Sequence, residues 1–228
     1  MSFIGPILAC ALLGYSIGCI NPAYILSRIK GFDIRNTGSG NAGASNATIA
    51  MGKKAGLFCA IFDIFKAYLT VKISVRLYPL LRLAGIIAGV CCILGHMFPI
   101  FMNFQGGKGL ASLGGMLLAY NAKVFISLLV VELIVVLVTD YICVVPTSGS
   151  LLFLMYLITE GALLAITFAP VVYVIIIKHK ENFRRIKYGI EAKVSYLWNK
   201  TAELKRLQDN WDKLTDEECE SFDNSFVI

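Results

Sequence analysis

From residue 3 to residue 177 the chain is a succession of apolar runs separated by short polar breaks, and no other feature limits its fold as severely. A bilayer core offers no water to backbone N–H and C=O groups, so runs of this length and spacing are confined to helices that satisfy their own hydrogen bonds. Apolar residues make up 57% of the chain, charged residues 16%, and the mean hydropathy is +0.71. A soluble domain of 228 residues has no interior large enough for that much apolar surface. The expected fold class is all-α: a polytopic membrane protein built as a transmembrane helix bundle.

The first run, 3–27, holds Gly14, Ser16 and Gly18, small residues that let helices approach closely. The second, 55–75, carries Asp63 and Lys66 on one helix face. Charges at that depth pair or face the bundle interior, as a structural ion pair or as part of the chemistry. Further runs cover 83–101, 109–119 and 124–139, and 149–177 reads as a hairpin of two spans interrupted at Thr159-Glu160-Gly161. The expected total is seven spans, the fourth and sixth too short to cross fully at about 1.5 Å per residue.

Cations set the sidedness. The 28–54 loop holds Arg28, Lys30, Arg35, Lys53 and Lys54, and the segment 178–193 holds Lys178, Lys180, Arg184, Arg185, Lys187 and Lys193. Seven spans with the N-terminus outside place both segments on the cytoplasmic side, together with Lys108 and the polar turn Asp140–Ser148. No basic residue precedes Arg28, so the first run is expected to stay as a helix and not to be cleaved as a signal.

Two domains are expected. Residues 1–193, with 17 Lys/Arg against 7 Asp/Glu, form a basic membrane-embedded domain suited to anionic lipid or phosphorylated ligands. Residues 194–228, with 4 against 8, form an acidic, amphipathic, helical extension lying on the membrane or on the body. Val194, Leu197, Trp198, Leu204, Leu207, Trp211 and Leu214 recur there at helical spacing, and Thr215-Asp216-Glu217-Glu218 reads as a capping box. Seven cysteines without a CxxC pair, and two histidines, give no pattern for a metal or haem site. No cofactor and no nucleic-acid partner are expected.

Three polar stretches on the cytoplasmic side hold the candidate chemistry. In Gly95–Gly109, three glycines surround Lys108, so that backbone N–H groups and an ammonium are able to converge on an anion. A Gly/Pro turn with a positive-inside lysine explains that stretch equally well. In Thr37–Asn46, Gly alternates with Ser and Asn as in a phosphate nest, and a plain flexible loop is the alternative. Neither stretch has the Walker spacing, and no strand precedes the first. In Lys178–Glu191, a helix puts His179, Asn182 and Arg185 near one face: an imidazole, an amide and a guanidinium suited to a phosphate or oxyanion. The remaining lysines there read as an anchor for anionic lipid.

Taken in order, Gly-Ser-Gly-Asn-x-Gly-Ala-Ser-Asn at 38–46, Gly-His-Met-Phe-Pro-x-Phe-x-x-Phe-x-Gly-Gly-Lys-Gly at 95–109 and His-x-x-Asn-Phe-x-Arg-Ile-x-x-Gly-x-Glu at 179–191 resemble three motifs of a known family. It is the bacterial acyl-phosphate:glycerol-3-phosphate acyltransferase family of integral membrane enzymes. The resemblance covers about residues 5–193, the Asp63/Lys66 pair included, and leaves the extension outside. It implies a seven-helix bundle in the bacterial cell membrane, with acyl phosphate, glycerol 3-phosphate and the lipid bilayer as partners. The implied reaction moves an acyl chain from acyl phosphate to the 1-hydroxyl of glycerol 3-phosphate.

Carried over by position, the resemblance implies catalytic roles for Lys108, His179, Ser39 and Asn182. It implies substrate binding by Asn41, Gly43, Gly106, Gly107, Gly109, Arg185, Glu191 and Cys143. Lys108 and its glycines would face phosphate charge, Asn182 and Arg185 would hold glycerol 3-phosphate, and His179 would sit near the reacting oxygens. Two positions depart from the family pattern: Ile49 replaces an arginine, and Cys143 replaces a serine. They leave open an alternative, a paralogue that binds acyl phosphate or anionic lipid without turnover or with another acceptor.

Overall fold

The computed structural model describes residues 4–222; residue 3 of the first run and residues 223–228 of the extension lie outside the described residues. The first apolar run is not one helix. Helix α1, Ile4–Gly18, stops short of Asn21-Pro22, and α2, Pro22–Ile29, starts there. Asn21 accepts the Tyr24 N–H at 2.9 Å, and Pro22 occupies the first turn, where its missing N–H costs nothing. After a 3-10 turn and α3, Ala44–Met51, the long helix α4 runs Lys53–Leu77. Then come α5 (Ala84–Met97), α6 (Leu110–Tyr120), α7 (Ala122–Thr139), α8 (Val145–Glu160) and α9 (Ala162–Lys187). The extension forms α10, Lys200–Trp211, and α11, Asp216–Ser221, with the expected capping box between Thr215 and Glu218. No strand occurs among the described residues.

Helix α5 is the axis of the bundle, and nearly every residue in it is buried. It touches α1 backbone to backbone: a Cβ added to Gly14 would lie 2.3 Å from the Ala88 carbonyl oxygen, and one added to Gly18 would lie 2.3 Å from that of Cys92. This is the close approach expected of those small residues. On its other side Met97 and Ile93 join Met116 of α6 and Phe153, Phe168 and Ile175 of α8 and α9 in the main core. Phe153 and Phe168 meet edge to face at 5.1 Å. Pro146, expected in a polar turn, instead opens α8.

The break after α1 leaves carbonyls without helical partners, and Lys66 of α4 fills the gap. Its ammonium donates to Gly18 O at 3.1 Å and Ile20 O at 2.6 Å. Asp63 pairs with it at 2.7 Å, and His96 Nδ1 of α5 lies 3.2 Å from Lys66 and 3.3 Å from Asp63. All three side chains are almost wholly buried. The pair is therefore structural, and it locks three helices at one point.

Five stretches are long and apolar enough to cross a membrane: Ile4–Ile29, Ala84–Met102, Ala122–Thr139, Ile142–Glu160 and Ala162–Lys187. Helix α4 has the length but carries Asp63 and Lys66, and α6, the fourth run, is short as expected with 11 residues. The sixth, expected to be too short, is long enough because Ile142–Val144 and Pro146 extend it into Ile142–Glu160. Leu12, Phe58, Phe65, Leu137 and Leu163 are exposed around the bundle, as lipid-facing residues would be. Helix α7 lies at the rim, with Glu132 its one fully buried residue, bound by the Ser148 hydroxyl at 2.7 Å. Lys66→Met would strand a buried carboxylate and two carbonyls, at about 3–5 kcal/mol. A sharp fall in the thermal unfolding midpoint in detergent is expected, whereas an unchanged midpoint would contradict the locking role.

Candidate active site

The first motif forms a loop gathered around Asn46, which is fully buried at the start of α3. Its Oδ1 accepts the Ser39 N–H at 3.0 Å, and its Nδ2 donates to Ile34 O at 3.0 Å and Thr37 O at 2.8 Å. Gly38 turns at φ +59°, and a Cβ there would lie 2.3 Å from Asn46 Oδ1. Asn21 Nδ2 donates to Ala42 O at 2.8 Å, so the break after α1 also anchors this loop. Arg35, paired with Asp33 at 2.7 Å, donates to Met102 O at 2.8 Å and ties the first motif to the second.

In the second motif the chain leaves α5 and folds back on it. Asn103 and Phe104 adopt positive φ of 52° and 59°, which asparagine tolerates and which is costly for phenylalanine. The Gly106 N–H then donates to Met97 O at 3.1 Å, and that of Gly107 to His96 O at 3.0 Å. A Cβ on Gly107 would lie 2.1 Å from His96 Nε2. These two glycines thus serve close packing on α5, and their N–H groups are already engaged. The N–H groups of Lys108 and Gly109 follow, and then the first turn of α6, whose opening N–H groups have no intrahelical partner.

The third motif is helical, as its spacing predicts. His179, Asn182 and Arg185 are all buried on one face of α9. Lys108 Nζ donates to Asn182 Oδ1, and Asn182 Nδ2 donates to Glu191 Oε1 at 2.7 Å. Cys143 shares a side-chain contact with Glu191, and Lys178 sits over the Phe98 ring at 4.6 Å. His179 Nδ1 is 2.8 Å from Ile175 O. A carbonyl only accepts, so Nδ1 carries the hydrogen and a neutral ring leaves Nε2 as an acceptor.

Lys108, Asn182, Arg185, Glu191 and Cys143 therefore form one cluster. No hydrogen bond among the described residues links Ser39, Asn41 or Gly43 to it. Sequence reasoning did not single out Asn46, His96, Asn21 or Arg35 as organisers of these loops. Their partners lie far along the chain, and only the Asn21-Pro22 pair carries a local signal, that of a helix start.

Burial dominates the electrostatics of the cluster. It pushes the Lys108 ammonium below its ordinary pKa, with Glu191 opposing the shift and Arg185 adding to it. It likewise raises the Glu191 carboxyl, against the Asn182 hydrogen bond and the Lys108 and Arg185 charges. Lys108, Lys178 and Arg185 bring positive charge to this site, and Glu191 opposes it together with Glu181, which lies 3.6 Å from Arg185.

The chain is similar to known proteins over most of its length. A family model described as glycerol-3-phosphate acyltransferase matches residues 8–189. A glycerol-3-phosphate acyltransferase of Clostridioides difficile is 36% identical over 194 residues, covering 81% of this chain and 93% of that protein. The one from Aquifex aeolicus is 31% identical over 182 residues, covering 79% and 95%. The crystal structure of PlsY (YgiH), an integral membrane glycerol 3-phosphate acyltransferase, is similar in its glycerol 3-phosphate form. That structure has a TM-score of 0.77 and 29% identity, over 84% of this chain and 96% of the other.

Glu191 titrates higher in the folded than in the unfolded state, so the folded protein binds the extra proton. Its contribution to stability is fully present below the ordinary value of 4.5 and is lost as pH rises through the raised value. Unfolding midpoints measured from about pH 4 to about pH 8 should fall for the wild type relative to Glu191→Gln as pH rises. Parallel curves would contradict the burial of this carboxyl.

Proposed function

The chain belongs to the glycerol-3-phosphate acyltransferase family, and on that footing we propose that it transfers an acyl chain from an acyl phosphate to the 1-hydroxyl of glycerol 3-phosphate, giving lysophosphatidic acid and inorganic phosphate. The observation that carries the reading is the buried cluster in which Lys108 reaches Asn182 and Asn182 reaches Glu191. Both substrates are phosphates, and both need their charge neutralised at the point of reaction.

Lys108, with the N–H groups that follow Gly107, neutralises the acyl phosphate. Asn182 and Arg185 hold glycerol 3-phosphate, with Glu191 orienting Asn182. His179 stands beside the reacting oxygens, and Ser39, Asn41 and Gly43 close the site from the first loop. The hydroxyl oxygen attacks the acyl carbonyl, the new C–O ester bond forms, and the C–O bond to phosphate breaks. The hydroxyl proton leaves with a phosphate oxygen. An acyl phosphate is already activated, so orientation and charge stabilisation are sufficient and no enzyme nucleophile is required.

In this reading α4 and α6 join the five apolar stretches as membrane crossings, seven in all. The N-terminus is outside, and the three motifs and the extension face the cytoplasm of a bacterial cell. The cation distribution supports that orientation. Residues 1–193 then form the membrane-embedded domain and 194–228 its extension. A second reading, binding without efficient turnover, is favoured by Ile49 and Cys143, since neither provides a charge-assisted contact to phosphate.

Reconstituted protein supplied with acyl phosphate and glycerol 3-phosphate should form lysophosphatidic acid and phosphate in equal amounts. Lys108→Ala should lower the rate about 100-fold or more. Absence of product above the variant's background would contradict the enzyme reading. A large gain from Ile49→Arg with Cys143→Ser, starting from a near-zero rate, would favour the second reading.

A further inference from the structure

The matched family region ends at residue 189, yet the chain continues into α10 and α11, and these helices do not simply lie on the surface. We propose that Arg206, on α10, is a positioning residue for the acyl-transfer site: it straps down the Gly189–Glu191 turn and thereby holds Glu191 against Asn182. The inference rests on the acyltransferase reading of that cluster.

The guanidinium makes two contacts with this turn. Nη1 donates to Gly189 O at 2.5 Å and Nη2 to Glu191 O at 2.7 Å. Those carbonyls bracket Ile190, which is fully buried, and belong to the turn that delivers the Glu191 carboxylate to Asn182. A second carboxylate sets the guanidinium in place. Glu203 Oε2 accepts Arg206 Nε at 2.8 Å, and Glu203 Oε1 accepts Nη2 at 2.6 Å. Glu203 Oε1 also takes the Lys193 N–H at 2.8 Å, two residues past Glu191. Asn210, one turn further along α10, donates to Gly189 O at 2.9 Å. Gly189 sits at φ +70°, where a Cβ would also lie 2.8 Å from Asn210 Nδ2, so glycine is what lets α10 close onto the turn.

The same end of the molecule is fastened from two other directions. Phe222, beyond α11, meets Tyr188 edge to face at 5.4 Å and lies under Arg184 at 4.3 Å. Val194 N donates to Asp140 O at 2.9 Å, and Ser195 binds the Asp140 carboxylate through both its N–H and its hydroxyl at 3.2 Å. Asp140 ends α7, just ahead of Cys143. The segment carrying Glu191 is thus fixed between α7 on one side and Arg206 on the other. Glu203 balances the charge of Arg206, so Arg206 acts on the site through geometry rather than through its field.

Asn182 and Arg185 hold glycerol 3-phosphate in this scheme, so loosening Glu191 weakens acceptor binding first. In the full-length protein, Arg206→Ala should raise KM for glycerol 3-phosphate about tenfold. KM for acyl phosphate should change less, and kcat should stay within about twofold. Arg206→Lys keeps the charge but loses the fork, and should recover part of the effect. A merely destabilising change lowers kcat through the folded fraction and leaves KM alone. An unchanged KM for glycerol 3-phosphate in Arg206→Ala, with or without a lower kcat, would therefore overturn the strap. No turnover in the wild type would instead remove the acyltransferase reading. The strap is then decided by amide hydrogen exchange at residues 190–193, with faster exchange in Arg206→Ala supporting it and equal exchange overturning it.

Discussion

The arrangement depends on one buried ammonium. A lysine in the apolar interior is expensive unless every donor finds a partner. Lys66 meets that condition with two carbonyls at the end of α1, the Asp63 carboxylate and the His96 ring. At the break it stabilises stands the buried Asn21, which in turn holds Ala42 in the first motif. His96, on the other side, supplies the carbonyl that Gly107 binds and the ring against which Gly107 packs. The first- and second-motif loops are therefore positioned from the same point in the core.

The parts of this architecture that depend on periodicity were legible in the sequence. Apolar runs, the shared face of Asp63 and Lys66, the shared face of His179, Asn182 and Arg185, and the capping box at Thr215 follow from spacing within one helix. The joining of Lys108 to the third motif was legible only through the family resemblance, since 74 residues separate it from Asn182. Other features came from pairings that spacing does not encode. Lys66 caps a helix that ends 48 residues earlier. Gly106 and Gly107 read as anion-binding glycines, yet the structure uses them for backbone contact with α5. The extension read as an amphipathic helix, but nothing in its pattern announced that Arg206 would reach back to Glu191.

The proposed function asks one cluster to be stable without ligand and still accept an anion. Asn182 stands between Lys108 and Glu191, so the opposite charges are bridged by an amide and not paired directly. Burial works against both charges. In the proposed reading, a phosphate arriving beside Lys108 supplies a second negative charge opposite its ammonium. A preorganised site of this kind needs no covalent chemistry from the protein.

Direct transfer is the central claim, and a rapid-quench experiment tests it most directly. Enzyme is mixed with an excess of acyl phosphate in the absence of glycerol 3-phosphate, and released phosphate is followed over the first turnover. Direct transfer predicts no phosphate burst until the acceptor is added, and then phosphate and lysophosphatidic acid in step. A burst equal to the enzyme concentration without acceptor would mean an acyl-enzyme, on Cys143 or Ser39 for instance, and would contradict it.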